Sequence, residues 1–121
     1  MKYTKEDLVK VSHDELCKFA LDLLNSDDWR VRASAVKMLT EQEVLLKIAL
    51  NDDSITVRNT AVKKITDQQA LKQVALLEEW WVSLTAVWRL TDKEFLKELA
   101  DNGYHKFVRN DAKIRLEELT R

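Results

Sequence analysis

The chain has 121 residues, of which 45% are hydrophobic and 34% are charged, and its formal net charge is −1 at pH 7. This length suits a single domain over 1–121, and the near-zero charge excludes a global basic field that would attract nucleic acid or an anionic membrane. The sequence has no apolar run of about 18 residues, the length a membrane span needs, and its lone Cys17 suits a reducing compartment, so we expect a cytoplasmic protein.

The composition favours an all-α fold. The chain contains no proline and only one glycine, Gly103. Both residue types interrupt helices, so their scarcity is typical of a helix-rich protein.

A repeat of about 26 residues organises the chain, and its clearest copy is 54–75. One valine recurs at intervals of 26, 25 and 26 residues, namely at Val31, Val57, Val82 and Val108. An alanine follows four residues after each valine, at Ala35, Ala61, Ala86 and Ala112. This periodicity predicts a right-handed α-α solenoid of about four short helix pairs.

A second signal marks where the other helix of each pair begins. Ser or Thr stands three residues before Glu or Gln at Ser12/Glu15, Thr40/Glu43, Thr66/Gln69 and Thr91/Glu94. Each spacing predicts a capping box, in which the hydroxyl accepts a hydrogen bond from the N3 amide and the Glu or Gln side chain reaches back. The prediction therefore makes the Ser or Thr the N-cap.

The two ends of the sequence have the features of terminal caps. Residues 4–11 resemble a half-repeat that closes the start of the array. Asn102-Gly103 predicts a left-handed helix stop. A final helix with a polar outer side is expected from about residue 106 to 119.

The succession of an Asp-rich turn, a V-R-x-x-A-V motif and a capped helix resembles HEAT repeats, especially the short HEAT-like repeats of bacterial proteins. The likeness runs from about Ser12 to Leu119, although the period is shorter than the roughly 40–47 residues of full HEAT repeats. It implies a scaffold without catalytic activity and pairs turn aspartates with arginines from one repeat to the next. It also implies that the helix with the V-R motif lines the concave, partner-binding side.

The arginines after the valine, Arg32, Arg58 and Arg109, have two interpretations. They form either an anion-binding row or a structural ladder with the turn aspartates, and the ladder is favoured because the acids occur in the same repeats. The third copy has Ser83 instead.

No catalytic or metal-binding set can be assembled from the sequence. His13 and Cys17 lie four residues apart on one predicted helix, but two ligands do not make a site. No Ser/His/Asp set, paired inward carboxylates or phosphate-cradling loop is present. We therefore expect a protein that is not an enzyme and needs no metal or organic cofactor.

The four tryptophans divide into two kinds. Trp29 and Trp80 stand two residues before their valines, where we expect them to pack at the turns. Trp81, Leu84 and Trp88 lie on the helix face opposite the core valine and alanine. The matching positions in the first two copies are mostly polar, whereas the fourth copy has Phe107 and Ile114.

These five apolar residues predict a partner-binding surface on the third and fourth copies. The expected partner is an unidentified protein or peptide, or a second copy of the chain, with Arg30, Lys37, Lys63 and Arg89 as a polar rim. One alternative is that the C-terminal helix of the chain itself covers this face. A second is nucleic-acid binding by the basic and aromatic residues of the same face. A third and weaker one is an enzyme accessory role like that of the HEAT-like bilin lyases, for which no bilin-specific residue is found.

The expected absence of a metal has a direct test. Two histidines and one cysteine cannot alone supply a closed tetrahedral site. Treatment with a chelator should therefore leave the midpoint of thermal unfolding unchanged. A large drop in that midpoint would contradict this expectation and identify His13 and Cys17 as ligands to examine.

Overall fold

The computed structural model of the chain describes residues 3–4 and 15–121, with the side chains of 15–18 and 21 outside the description. The described residues form α-helices and contain no β-strand, which confirms the all-α prediction. Eight helices are present in this part of the chain: α1 Glu15–Leu24, α2 Trp29–Met38, α3 Gln42–Asn51, α4 Ile55–Lys64, α5 Gln68–Ala75, α6 Trp80–Val87, α7 Lys93–Asn102 and α8 Lys106–Thr120. Of the predicted half-repeat at 4–11 only Thr4 is described, and Ser12 of the first capping box and His13 lie outside the described residues.

The chain divides into two compact units, Met1–Ile65 and Thr66–Arg121. In the first unit α1 packs on α2, α3 on α4, and α2 on α4. In the second unit α5 packs on α6, α7 on α8, and α6 on α8. Each helix that carries the repeated valine thus contacts both its own partner and the other valine helix of its unit.

The repeated alanines are fully buried in the core. Ala35, Ala61, Ala86 and Ala112 are all 0% exposed. Three of the repeated valines are buried with them, but Val31 in α2 is only half-buried. A fully buried position that holds only a methyl group indicates close approach of neighbouring elements, because a larger side chain would need space that the packed core lacks.

The predicted capping boxes are displaced by one residue. The N-caps of α3, α5 and α7 are Glu41, Asp67 and Asp92 instead of the preceding threonines. Asp67 accepts a hydrogen bond from the Gln69 amide at 3.1 Å, and Asp92 accepts one from the Phe95 amide at 3.1 Å. An ionised carboxylate is a strong acceptor and also complements the positive end of the helix dipole. At α5 and α7 the aspartate that follows the threonine therefore makes the cap bond, whereas Glu41 takes the N-cap position of α3 without a side-chain cap bond.

The predicted left-handed stop at Gly103 is wrong. Gly103 ends α7 with φ −55° and ψ 149°, which is extended backbone. The glycine is required by space: a Cβ there would lie 2.5 Å from the Leu99 carbonyl oxygen and 3.2 Å from Cγ of Arg109. The sequence signal located the helix end correctly and assigned it the wrong backbone conformation.

Enlarging Ala61 tests the tight core position. Because Ala61 is 0% exposed, Ala61→Leu should lower the free energy of unfolding by about 1–3 kcal/mol through overpacking. Lys63→Leu on the exposed face of the same helix is the matched control and should change it by less than about 0.5 kcal/mol. Urea unfolding of the two variants measures both effects, and a neutral Ala61→Leu would contradict the core assignment.

The displaced cap is tested at α5. Asp67→Ala should cost about 1 kcal/mol of stability, since it leaves the Gln69 amide without its side-chain acceptor. Asp67→Asn retains an acceptor oxygen and should recover most of the loss. Equal losses in the two variants would show that the cap bond is not the source of the stability.

Candidate partner-binding surface

The residue after each repeated valine donates a hydrogen bond to a carbonyl group at or just past the end of the preceding helix. The donors and acceptors are Arg32 Nη1 to Ser26 O at 2.9 Å, Arg58 Nε to Ala49 O at 2.7 Å, Ser83 Oγ to Ala75 O at 2.6 Å and Arg109 Nη1 to Gly103 O at 2.8 Å. The carbonyls at a helix C-terminus have no partner within the helix, so these donors satisfy them. Ser83 therefore donates the same hydrogen bond as the arginines, so the third copy keeps this bond without an arginine.

These bonds favour the structural interpretation of the arginines over an anion-binding row. Arg32 also donates from Nε and Nη2 to the two carboxylate oxygens of Asp52, each at 3.2 Å. This bidentate pair joins α2 to the turn between α3 and α4, which confirms the predicted ladder at this step. Arg58 is buried, with 8% of its surface exposed, so its guanidinium is not presented to a soluble anion.

The predicted apolar residues of α6 and α8 reach solvent in the second unit. Trp81 is 39% exposed and Trp88 38% exposed, while Leu84 between them is half-buried. On α8, Phe107 is 43% exposed and Ile114 40% exposed. Because α6 packs on α8, we treat these five residues together and call them the aromatic face. Their partial exposure shows that α8 does not cover them completely.

An aromatic cluster holds one end of the aromatic face. Trp80 contacts Trp81 edge-on with ring centroids 5.6 Å apart, and contacts Phe107 edge-on at 5.0 Å. His105 stacks on Trp80 at 5.5 Å and 26°, and its ring also lies 4.9 Å from that of Phe107. Edge-to-face and stacked pairs at these distances are favourable beyond the area they bury. Trp80 is therefore the contact that joins Trp81 of α6 to Phe107 of α8.

His105 also caps the start of α8. It is the N-cap, and its Nδ1 accepts a hydrogen bond from the Phe107 amide at 3.2 Å. The imidazole thus orients the first turn of α8 while its ring packs against Trp80. Next to it, Lys106 Nζ lies 5.5 Å from the centroid of the Phe107 ring, within the range of a cation–π contact.

A hydrogen bond holds the other end of the aromatic face. Trp88 Nε1 donates to Oδ2 of Asp111 at 2.9 Å. Trp88 is the C-cap of α6 and Asp111 lies in the second turn of α8. The exposed ring of Trp88 is therefore fixed in orientation, so less side-chain freedom remains to be lost when a partner binds.

The predicted polar rim is divided between the two units. Arg30, Lys37 and Lys63 are exposed residues of the first unit, whereas the half-buried Arg89 belongs to the second. Arg30 Nε pairs with Asp28 at 3.1 Å, and this guanidinium lowers the pKa of the Asp28 carboxyl. Of the rim residues, only Arg89 shares a unit with the aromatic face.

The expectation that Trp29 and Trp80 both pack at turns is wrong for Trp29. Trp29 is the first residue of α2 and is 45% exposed. Trp80 is half-buried, but its packing belongs to the aromatic cluster. Sequence reasoning also missed His105 and Asp111, whose partners are 25 and 23 residues away along the chain. No local signal predicts such pairs; only the repeat alignment brings α6 beside α8.

A small surface cavity lies elsewhere in the second unit. It has a volume of about 150 Å³ and is lined by Ala75, Leu76, Glu98, Leu99, Asn102, Gly103 and Tyr104. A hydrogen bond to Glu78 raises the pKa of the exposed Tyr104 hydroxyl. Glu98 accepts a hydrogen bond from Asn102 at 3.0 Å, so the carboxylate that lines the cavity is already paired within its own helix.

Among the described residues, no cluster of three or more His, Cys, Asp or Glu side chains has the arrangement of a metal site. In the same part of the chain, no helix combines the length and apolar character needed to cross a bilayer. Comparisons with protein-family models, with curated proteins and with solved structures found no significant match to this chain. Functional inference therefore depends on the geometry of the molecule itself.

Proposed function

We propose that the chain is a non-catalytic interaction module, a HEAT-like α-α solenoid of about four helix pairs that binds a protein or peptide through the aromatic face. The observation that carries this proposal is the exposure of Trp81, Trp88, Phe107 and Ile114, each between 38% and 43%, on two helices that pack together. Exposed clusters of large apolar side chains are uncommon on soluble proteins and mark interaction sites.

The internal comparison between helices supports a specialised surface. On α2 and α4 most of the matching positions hold polar side chains, and Lys37 and Lys63 among them are exposed. A face that needs only to be solvated takes such residues, whereas tryptophan and phenylalanine there cost solubility without adding to the core. Tryptophan is also the residue type most enriched among the energetic centres of interfaces.

The side chains of the aromatic face are fixed by contacts within the chain, which further supports a binding function. Trp80 contacts the rings of Trp81 and Phe107, and Asp111 fixes Trp88. Large apolar groups held in place before binding contribute contact area with little loss of conformational entropy. This arrangement suits an apolar segment of a protein, such as one side of an amphipathic helix.

Nucleic acid is the less favoured partner. Several of the basic side chains that would contact phosphates already have partners within the chain: Arg30 pairs with Asp28, Lys64 donates to the Lys37 carbonyl, and Arg115 donates to the Leu90 carbonyl. Binding to phosphates would have to break these contacts. A labelled single strand that bound with a steep dependence on salt would favour nucleic acid instead.

Replacing both tryptophans tests the proposal. Trp81→Ala with Trp88→Ala should reduce partner capture from native lysate by at least a hundredfold, because each buried interface side chain is worth roughly 2 kcal/mol or more. Each substitution should lower stability by only about 1–2 kcal/mol, since each ring is already nearly 40% exposed. Capture is measured with immobilised protein, and stability by urea unfolding.

Trp29→Ala is the matched control. It removes an equally exposed tryptophan, at 45%, from the first unit, and should leave capture unchanged. Sedimentation of the free protein distinguishes self-association from a foreign partner. A double variant that fails to fold, or one that folds and captures the same partner as well as the wild type, would end the proposal.

A further inference from the structure

The most unusual contact in the first unit is a side chain that pairs with the backbone of a distant residue. Asn25 Oδ1 accepts a hydrogen bond from the Tyr3 amide at 2.9 Å, and Asn25 Nδ2 donates to the Tyr3 carbonyl at 2.9 Å. A primary amide has the same donor and acceptor as a peptide group, so these two hydrogen bonds satisfy both backbone groups of Tyr3. Such pairing recognises the backbone of one residue whatever its side chain.

Recognition of the side chain is separate and specific. Tyr3 is only 2% exposed, and its hydroxyl donates to Oδ2 of Asp52 at 2.8 Å. Burial, reinforced by this hydrogen bond, raises the pKa of the Tyr3 hydroxyl, so it stays a protonated donor. The ring is therefore buried, and the pocket that holds it ends on a buried carboxylate.

The acceptor sites of the carboxylate at the end of the pocket are all used in hydrogen bonds. Besides the Tyr3 hydroxyl, Asp52 accepts from Arg32 at both oxygens, at 3.2 Å each, and from the Ser54 amide at 2.9 Å. A carboxylate has about four acceptor sites, and these four bonds occupy them. Without the tyrosine hydroxyl, a buried anion would lose one of its donors, which is costly.

We propose that Asn25, Arg32 and Asp52 form a receptor site for a peptide that carries an unmodified tyrosine, and that the chain fills this site with its own Tyr3. The site contains the two elements of peptide recognition, a backbone clamp and a side-chain pocket, from the turn after α1, from α2 and from the α3–α4 turn. It lies in the first unit and does not depend on the aromatic face of the second.

The chemistry of the pocket predicts its selectivity. Phenylalanine fills the same volume but brings no donor to Asp52, so a phenylalanine peptide should bind roughly 10- to 100-fold more weakly. Phosphotyrosine would bring a second anion to the buried carboxylate of Asp52. Because like charges repel strongly where water is excluded, the phosphorylated peptide should not bind at all.

The internal occupant controls access to the site. A segment tethered to its own site competes at an effective concentration of about the millimolar order. A free peptide should therefore bind the wild-type chain only weakly, and binding should rise by tenfold or more when the internal tyrosine is removed. Release of Tyr3 and capture of a tyrosine peptide would then be two aspects of one exchange.

The test uses the full chain with Tyr3→Ala and a fluorescent synthetic peptide that has the sequence of residues 1–6. Fluorescence anisotropy should show saturable binding to Tyr3→Ala, at least tenfold weaker binding to the wild type, and the predicted losses for the phenylalanine and phosphotyrosine versions. Asn25→Ala added to Tyr3→Ala is the site control and should weaken peptide binding at least tenfold.

Folding of the variants does not obscure the result. If Tyr3→Ala is folded and does not bind the peptide, the proposal is overturned. If Tyr3→Ala is unfolded by circular dichroism, adding the peptide must restore the helical signal, and failure to do so equally overturns it. Binding of the phenylalanine peptide as tightly as the tyrosine peptide would contradict the role of Asp52. None of these outcomes involves Trp81 or Trp88, so they leave the proposed function to its own test.

Discussion

The arrangement of the helix pairs depends on one hydrogen bond repeated along the chain, from the residue after each repeated valine to a carbonyl at or just past the end of the preceding helix. Arg58 and Ser83 show that the constraint concerns the donor and not the residue type, since Nε of one and Oγ of the other reach their carbonyls at 2.7 and 2.6 Å. A buried carbonyl without a partner is costly. The bond therefore fixes the rotation of each valine helix about its own axis.

Fixing that rotation determines which side of the helix meets solvent. In α6, Ser83 is buried at 0% exposure, so residues on the opposite side, Trp81 and Trp88 among them, must point outward. The same bond from Arg109 orients α8 and places Phe107 and Ile114 outward beside them. The aromatic face is thus a consequence of the core arrangement, and its rings are then held by Trp80, His105 and Asp111.

Much of this arrangement was predictable from the sequence, because periodicity reports which side of a helix is buried. The repeated alanines, the helix positions and the exposure of the aromatic face follow from that signal. Details that depend on competing local interactions did not follow. Asp67 displaced Thr66 as a cap because a carboxylate is the stronger acceptor, and Gly103 proved necessary for space and not for a left-handed turn.

Periodicity also did not reveal contacts between residues that lie far apart in the sequence. Tyr3 bonds to Asn25 and Asp52, which are 22 and 49 positions away along the chain. No repeat signal in the sequence connects these residues. Trp29 shows the converse limit: its aligned position matches that of Trp80, yet Trp29 has no equivalent of His105 and Phe107 to pack against in the described ring contacts. Equivalent residues of two repeats occupy the same position on their helices, but the side chains around them differ.

Exposure of the aromatic face in solution is the claim on which the account most depends, and a soluble paramagnetic probe measures it directly by NMR. The indole signals of Trp81 and Trp88 should be broadened about as strongly as that of Trp29, since the three are 39%, 38% and 45% exposed. The methyl signals of Ile65 and Leu71, which are 0% exposed, serve as the buried reference. Indole signals of Trp81 and Trp88 as well protected as those methyl groups would contradict the account.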